Sequence, residues 1–490
     1  MSDNGFNTPL HPGFVEVPDD EIEAAAEALA PKPNGKAPRP IVSRQDYMQT
    51  ARTWLKYEFM VGNKRTLHFW RGDFWQWTGT HYAAIPADDM KGMAWQFLEG
   101  CDVHGEKNTL LGYQPKGSRV ADVLGALAAL TGLSASIETP AWLDGRKTST
   151  AGMIAMQNGV LDIRSRKLHP HNPALFATWA LDFPYEKHAA EPAEWLRFLA
   201  SVWPDDQESI DTLQEMIGYL VSGDTRQQKA FLIVGPRRSG KGTIGRIVQE
   251  LMGAASRCSP TLSSLAGPFG LQQLIGKPLA LISDARISGR ADQAVIVENM
   301  LRITGEDALS VDRKFKEAWA GLLPTRFLLM TNELPRLMDT SGALAGRFVT
   351  LVMSVSFYGR EDLKLMERLL TELPAILIWA LDGYQRLTER GAFVEPESSR
   401  ELVEEMEELG SPIGAFVKHR CVVGVGLQSP KGALYGAYNS WCADQGQIHI
   451  VTEGEFGRSL LAAVPGIKPT RPTSPSGKRY NAYSGIGLLS

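Results

Sequence analysis

Uninterrupted apolar runs and helical apolar stripes follow one another through the middle of this chain. Phe231, Leu232, Ile233 and Val234 enter the polar stretch GPRRSGKGT, after which Ile244, Ile247, Val248 and Leu251 fall at i, i+3, i+4 and i+7. The run predicts a buried strand and the stripe a helix packed on a sheet. Leu279, Ala280, Leu281 and Ile282 within KPLALISD, and Arg326 to Thr331 (RFLLMT), predict two more buried strands. Upstream, Trp195, Leu196, Phe198, Leu199 and Val202, then Leu213, Met216, Ile217 and Leu220, carry helical spacing over about 192–224, and 362–392 does so downstream. Earlier still, LHFWRGDFWQWTGTHY (Leu67 to Tyr82) predicts an aromatic hairpin turning at Gly72-Asp73, and Asn158-Gly159 a second one. Near the end, the charged helix SSRELVEEMEELG leads into two helices, LYGAYNSWCADQG and TEGEFGRSLLAAVPG, and a closing strand, KRYNAYSGIGLL, the order of a winged helix.

A strand that runs into a glycine-rich turn and then a helix is the setting of a phosphate-binding loop. Here the loop is Gly235, Pro236, Arg237, Arg238, Ser239, Gly240, Lys241, Gly242 and Thr243. Glycines let the backbone approach phosphates, the N–H groups of the helix start complement their charge, and Lys241 reaches the outer ones. The residue after the lysine, usually a hydroxyl donor to magnesium, is Gly242, with the hydroxyl one step later at Thr243. Adenylate-kinase-like enzymes also carry GKGT, so the loop by itself specifies a nucleoside triphosphate. Asp284, after the LALIS strand, is placed as the Walker B acid that holds hydrated magnesium. Ala285 follows where a second acid is common, which leaves Asp284 alone or assisted by Glu298 or Glu306. Asn332, at the tip of RFLLMT, is placed to orient an attacking water as sensor one, and Arg347 to act as an arginine finger across a subunit interface.

Together, GPRRSGKGT, ISDARISGR, ITGEDALSVDRKFKEAW and LLMTNELPRLMDTSGALAGR resemble superfamily-three helicases of the AAA+ class, specifically the phage, plasmid and poxvirus primase-helicase family. The resemblance implies ATP and Mg2+ as cofactors, bound through Lys241 and Thr243, with Asp284, Asn332 and Arg347 in the roles above. It further implies that Arg313, Lys314 and Lys316 lie on a basic hairpin gripping single-stranded DNA in the pore of a homo-hexamer that moves 3′ to 5′ on forked DNA. The helices near 192–224 then correspond to a collar, and the segment ahead of them to the family's amino-terminal domain. The expected fold class is α/β: a flexible tail and linker at 1–40, an α+β domain at 41–190, a collar and AAA+ P-loop motor at 191–395, and a winged-helix DNA-binding domain at 411–490.

Length and composition are compatible with three domains: 490 residues, 43% hydrophobic. A formal charge of −4 means that any nucleic-acid surface is local, and residues 411–490 carry eight Lys or Arg against three acids, an excess of five. Cys101, Cys258, Cys421 and Cys442 form no C-x-x-C pair, which argues against a zinc ribbon and a disulfide framework. His169 and His171 lack a third ligand nearby, so no metal site of the protein's own is expected. The tail includes an acidic helix, Asp19 to Leu29, and no leader or membrane span, which places the protein in the cytoplasm of a bacterial host of a phage or mobile element, with no membrane partner. Alternating aromatics at Phe69, Trp70, Phe74, Trp75 and Trp77 predict cross-strand packing ahead of base stacking. The stretch before the motor shows neither a zinc-bearing nor a paired-carboxylate primase, so a separate primase subunit, or the host's, is expected to supply primers. Two other readings remain open: a nucleotide-gated DNA-binding or assembly factor with slow turnover, and a nucleoside-monophosphate kinase.

Overall fold

Strand Ala230–Val234 has every residue buried, and its side chains divide between two cores. Phe231 and Ile233 face one core, while Ala230, Leu232 and Val234 face the other. That two-sided burial is why the sequence shows a continuous apolar run there instead of an alternation. The computed structural model describes residues 39–285, 291–314, 316–335, 343–410, 412–444, 451–464, 466–473, 475 and 477–489. The expected tail helix at Asp19 to Leu29, and parts of the ISDARISGR and NELPRLMDTSGALAGR stretches, lie outside the described residues.

Two compact units make up the chain, Met1–Tyr57 with Lys91–Leu127, and Glu58–Met90 with Ala128–Ser490. In the smaller, Trp54 stacks on Phe97 with ring centroids 5.2 Å apart, and a short antiparallel pair joins Asp102–His104 to Leu110–Gly112.

The larger unit opens with an antiparallel sheet of β1 (Leu67–Trp70), β2 (Asp73–Trp77) and β3 (Tyr82–Ile85). Its aromatics pack: Trp70, Tyr82 and Phe176 are buried together, with Trp75 and Trp77 against them. The turn is not at Gly72-Asp73. Trp70 pairs with Asp73, which puts Arg71 and Gly72 at the corner with φ of +50° and +86°. Arg71 is held in that uncommon conformation by its guanidinium, which lies 4.3 Å from the Trp70 ring centroid and 5.1 Å from that of Trp319, and donates to Glu138. In the second hairpin Gly159 likewise belongs to a strand, paired with Met156, and the corner is Gln157-Asn158.

Next come helices α1 (Ala193–Val202) and α2 (Gln207–Ser222), both at the predicted stripes. A five-stranded parallel sheet follows, built from β4 (Ala230–Val234), β5 (Arg257–Cys258), β6 (Leu279–Ser283), β9 (Arg326–Thr331) and β10 (Phe348–Val352). Its order is β5–β6–β9–β4–β10. Helix α3 (Lys241–Met252) follows β4, with Ile244, Ile247, Val248 and Leu251 all buried, and α4 (Ala291–Thr304) packs on the other face. A hairpin of β7 (Leu309–Arg313) and β8 (Lys316–Gly321) leaves the fold between α4 and β9. After β10, α5 (Leu365–Thr371) and α6 (Leu373–Arg390) return to α2.

Two polar contacts tie this layer together. Glu215 of α2, 2% exposed, accepts from Arg386 Nε at 2.7 Å and from Arg390. Arg326, at the start of β9 and also 2% exposed, donates to the carbonyls of Asp224 at 2.6 Å and Leu220 at 3.0 Å, capping the carboxyl end of α2. The chain ends in α7 (Pro412–Arg420), β11 (Cys421–Pro430), α8 (Lys431–Asp444), α9 (Glu453–Ala463), β12 (Lys468–Thr470) and β13 (Ala482–Leu488). The three strands are antiparallel in the order β11–β13–β12 over a core that includes Phe416, Tyr438, Phe456, Leu460 and Ile486. The strand β11, rich in Gly and Val, was not foreseen from the sequence.

Candidate functional site

All five parallel strands point their carboxyl ends the same way, and the Gly235–Thr243 loop leaves β4 at that edge. Gly240 adopts φ +98°, and a Cβ there would sit 3.0 Å from Phe198 Cζ, so the turn into α3 requires glycine both for conformation and for room. Arg238 has φ +60°. The stretch after β10 buttresses it: Phe357 N donates to the Arg238 carbonyl at 2.9 Å, Ser356 Oγ to the Arg237 carbonyl at 2.9 Å, and Glu361 lies 3.4 Å from Arg238 Nε. Lys241 turns back into its own loop, donating to Gly235 O at 2.6 Å, Pro236 O at 2.7 Å and Ser239 Oγ at 3.2 Å. Burial holds its ammonium below the usual lysine range. A desolvated cation resting on neutral oxygens is poised to exchange them for an anion.

Above the loop lies a cavity of about 880 Å³, large enough for a nucleotide. Among the described residues it is walled by the loop with the start of α3, the face of α1 that carries Glu194, Arg197 and Phe198, the stretch Phe357 to Arg368, and Asn332. Among the described residues, seven basic side chains line it, Arg197, Arg237, Arg238, Lys241, Arg246, Arg360 and Arg368, against three acids, Glu194, Glu361 and Asp362. The acids are already engaged. Arg368 bridges Glu194 at 3.0 Å and Asp362 at 2.6 Å; Arg197, which also pairs with Glu194, and then Arg368 hold the Glu194 carboxyl below its ordinary range, and Arg368 does the same for Asp362. The remaining balance favours a polyanion.

Thr243 and Asn332 border the same cavity as Lys241. Asn332 follows β9, and Gly235 N donates to the carbonyl of the preceding Thr331 at 3.3 Å, which fastens that strand tip to the loop. Asp284 follows β6, separated from β4 by β9; it is exposed, has φ +65°, donates its N–H to Met330 O at 2.8 Å, and is not among the cavity's lining residues. Glu298 and Glu306 do not line the cavity either: Glu298 lies 3.9 Å from Arg302, and Glu306 accepts from Thr225. A Cβ on Gly242 would meet nothing within 4 Å, so that position is glycine for no steric reason.

Arg347 stands just before β10, whose Phe348 pairs with Ala230. It is therefore at the amino edge of the sheet, opposite the loop of its own chain, where it donates to Gln228 O at 3.3 Å and to the Gln228 side chain. On the β7–β8 hairpin the three basic positions differ. Arg313 is 10% exposed, lies 3.4 Å from Asp73 and donates to Glu317 O at 2.9 Å, which commits it to the fold. Lys314 is exposed at the hairpin end, with its backbone N–H on Gln272 Oε1 at 3.0 Å. Lys316 opens β8, opposite Arg313. Sequence reasoning missed Glu194, Phe357, Arg360 and Arg368; the one local signal was the charge cluster GREDLK at 359–364.

Residues 50–204 match the family described as D5 N terminal like, and residues 233–347 match the family of unknown function DUF5906. Among solved structures, the chain is similar to the apo structure of the NrS-1 C terminal region (305–718) at 11% identity, covering 91% of this chain and 100% of that one, with a TM-score of 0.49. The A form apo structure of the NrS-1 C terminal region gives 11% identity, coverage of 86% and 97%, and a TM-score of 0.44. Likeness at that level carries no functional argument.

Proposed function

Taking as premise that the chain is a relative of the primase-helicase family, through its D5 N terminal like region and its ordered motifs, we propose that it is an ATP-driven replicative DNA helicase. In this reading the parallel sheet is an AAA+ motor of the superfamily-three class, 191–395, between an amino-terminal α+β domain at 41–190 and a winged-helix domain at 411–490. The observation that carries it is a single basic cavity in which Lys241, Thr243 and Asn332 meet at the carboxyl edge of a sheet where β9 separates the loop strand from the Asp284 strand. Order β5–β6–β9–β4–β10 is the arrangement in which a polar strand tip stands between phosphate loop and acid.

The residues present fit a nucleoside triphosphate with Mg2+. The Lys241 ammonium and the N–H groups of the first α3 turn would bind phosphate, while the Thr243 hydroxyl and, through water, the Asp284 carboxylate would hold the metal, which would neutralise phosphate charge. Asn332 orients the attacking water. Arg347, remote from its own loop, acts on a neighbour's in a hexamer, and Lys314 and Lys316 present charge to single-stranded DNA. We place the protein in the cytoplasm of a bacterial host, moving 3′ to 5′ on forked DNA with a separate primase. A second reading, a slow nucleotide-gated assembly factor, is favoured by Asp284 lying outside the cavity wall and by Ala285 beside it.

ATP turnover with and without single-stranded DNA, measured alongside native mass, decides between them. Stimulation in a hexamer, lost in Asp284→Asn, is the helicase outcome. Slow turnover indifferent to DNA refutes it in favour of the switch, and phosphoryl transfer to AMP refutes both.

A further inference from the structure

The excess of positive charge in the carboxy-terminal region resolves, side chain by side chain, onto one hairpin. Of the eight basic residues in 411–490, Lys418 pairs with Glu404 at 3.0 Å, Arg420 with Asp444 at 3.2 Å, and Lys431 Nζ lies 4.7 Å from the centroid of the Tyr483 ring. Those three are held against the body of the domain, whereas Arg471 donates to Asn481 Oδ1 at 2.9 Å within the hairpin itself. Arg458 sits on α9, whose first turn carries Glu453 and Glu455, so that helix is net acidic. The remaining four lie on β12 and in the segment that joins it to β13, Lys468 opening β12 and Arg471, Lys478 and Arg479 following it, with no acidic residue from Lys468 to the end of the chain. All four are exposed, as is Tyr480 among them.

The hairpin is longer than its two strands. Thr470 pairs with Ala482, the bridge Thr473 to Arg479 keeps the same register, and Tyr480 N donates to Pro472 O at 3.1 Å. Alternation along that register puts Arg471 and Arg479 on one face of the ribbon and Lys468 and Lys478 on the other. A ribbon charged on both faces suits a duplex groove, which offers a wall of phosphates on either side; a single strand has one row.

We infer that this hairpin, and not α9, is the phosphate-contacting element of the carboxy-terminal domain, and that its ligand is duplex DNA. The inference rests on the helicase reading only for the expectation that the protein works on DNA. The test is fluorescence anisotropy of the full chain on a labelled duplex and on a single strand of the same sequence, across a salt series. The variant Lys468→Ala, Arg471→Ala, Lys478→Ala, Arg479→Ala is compared with Arg458→Ala, with near-UV circular dichroism as the folding check. At about 0.9 per phosphate contact, the hairpin variant is expected to flatten the duplex plot of log affinity against log salt by roughly 2–4. Arg458→Ala is expected to leave that slope within about 1 of the parent, and single-strand binding to change less than duplex binding.

An unchanged duplex slope in the hairpin variant overturns the inference, as does an equal loss from Arg458→Ala. Equal weakening on both probes also overturns it, in favour of a single-strand contact. Should ATP turnover prove absent while the duplex effect persists, the helicase reading fails and the hairpin assignment stands.

Discussion

Gly240 and Gly242 sit two residues apart at the start of α3 and should respond oppositely to alanine. At Gly240, φ of +98° costs an L-residue about 1–2 kcal/mol. The added Cβ also meets Phe198 Cζ at 3.0 Å and Cε2 at 3.1 Å. Relief needs the ring, or the loop, to move by a few tenths of an ångström in a packed core, for about 1–2 kcal/mol more. Gly240→Ala should therefore destabilise the motor by about 2–4 kcal/mol, a fall in melting temperature of roughly 4–16 °C. Because the strain is relieved by shifting the Lys241 turn, ATP affinity should fall with it. At Gly242 the Cβ enters open space inside a helix, where alanine is favoured over glycine by about 0.5–1 kcal/mol. Gly242→Ala should melt roughly 1–4 °C higher in the absence of nucleotide. Differential scanning fluorimetry with and without Mg-ATP reads both quantities. A Gly240→Ala protein as stable as the parent, with unchanged nucleotide affinity, would refute the left-handed turn; a Gly242→Ala protein that loses more than about 1 kcal/mol would refute the helix start.

Arg347→Ala should bind ATP and fail to hydrolyse it, and subunit-exchanging mixtures with Lys241→Ala should recover partial turnover; no recovery means that Arg347 does not act on a neighbour. Lys314→Ala with Lys316→Ala should leave stability within about 0.5 kcal/mol and abolish stimulation by single-stranded DNA, whereas Arg313→Ala should lower stability by about 1–3 kcal/mol through its lost Asp73 and Glu317 contacts. Chemical denaturation and ATPase assays separate the two, and an Arg313→Ala protein of parental stability would contradict its buried pairing. His68, buried, has its pKa lowered to about 4, by burial first and then by Arg65. Its imidazole stays neutral in the fold while the unfolded chain takes up a proton, so the contribution is whole above about pH 6.5 and falls away toward pH 4 by about 3 kcal/mol. Melting curves at neutral pH and near pH 5 should converge for His68→Gln relative to the parent; an identical pH profile would rule His68 out.

Where the chain wrote structure into local periodicity, it could be read directly. The β4 run and the α3 stripe at Ile244, Ile247, Val248 and Leu251 are buried as their spacing requires, and the loop between them needed only a strand before and a helix after. The corner of the aromatic hairpin was misplaced by one residue because Gly-Asp is the stronger turn signal, and the force that overrides it comes from Trp319, Glu138 and Trp70 around Arg71. Long-range contact also hid the cavity's outer wall. Arg360 and Arg368 resemble any solvated basic residue until the chain beyond β10 folds back over the loop. Arg313 had the converse problem: a charge in a polar turn gives no sign of the Asp73 carboxylate some 240 positions away that claims it.

Arg326 fixes one end of β9 to the carboxyl end of α2, and Asn332 stands just past the other end. The strand's six residues, Arg326 included, are all buried and hydrogen-bonded to a strand on each side, and from Arg326 to Asn332 they span about 20 Å at roughly 3.3 Å per residue. Such a strand neither stretches nor buckles easily, so it behaves as a push-rod. A shift of α2 along its axis is delivered to the polar tip beside the cavity instead of being dissipated in a loop, and a shift at the tip is returned the same way. The position of a single amide in the site is thereby made to depend on the seating of a helix at the opposite edge of the sheet.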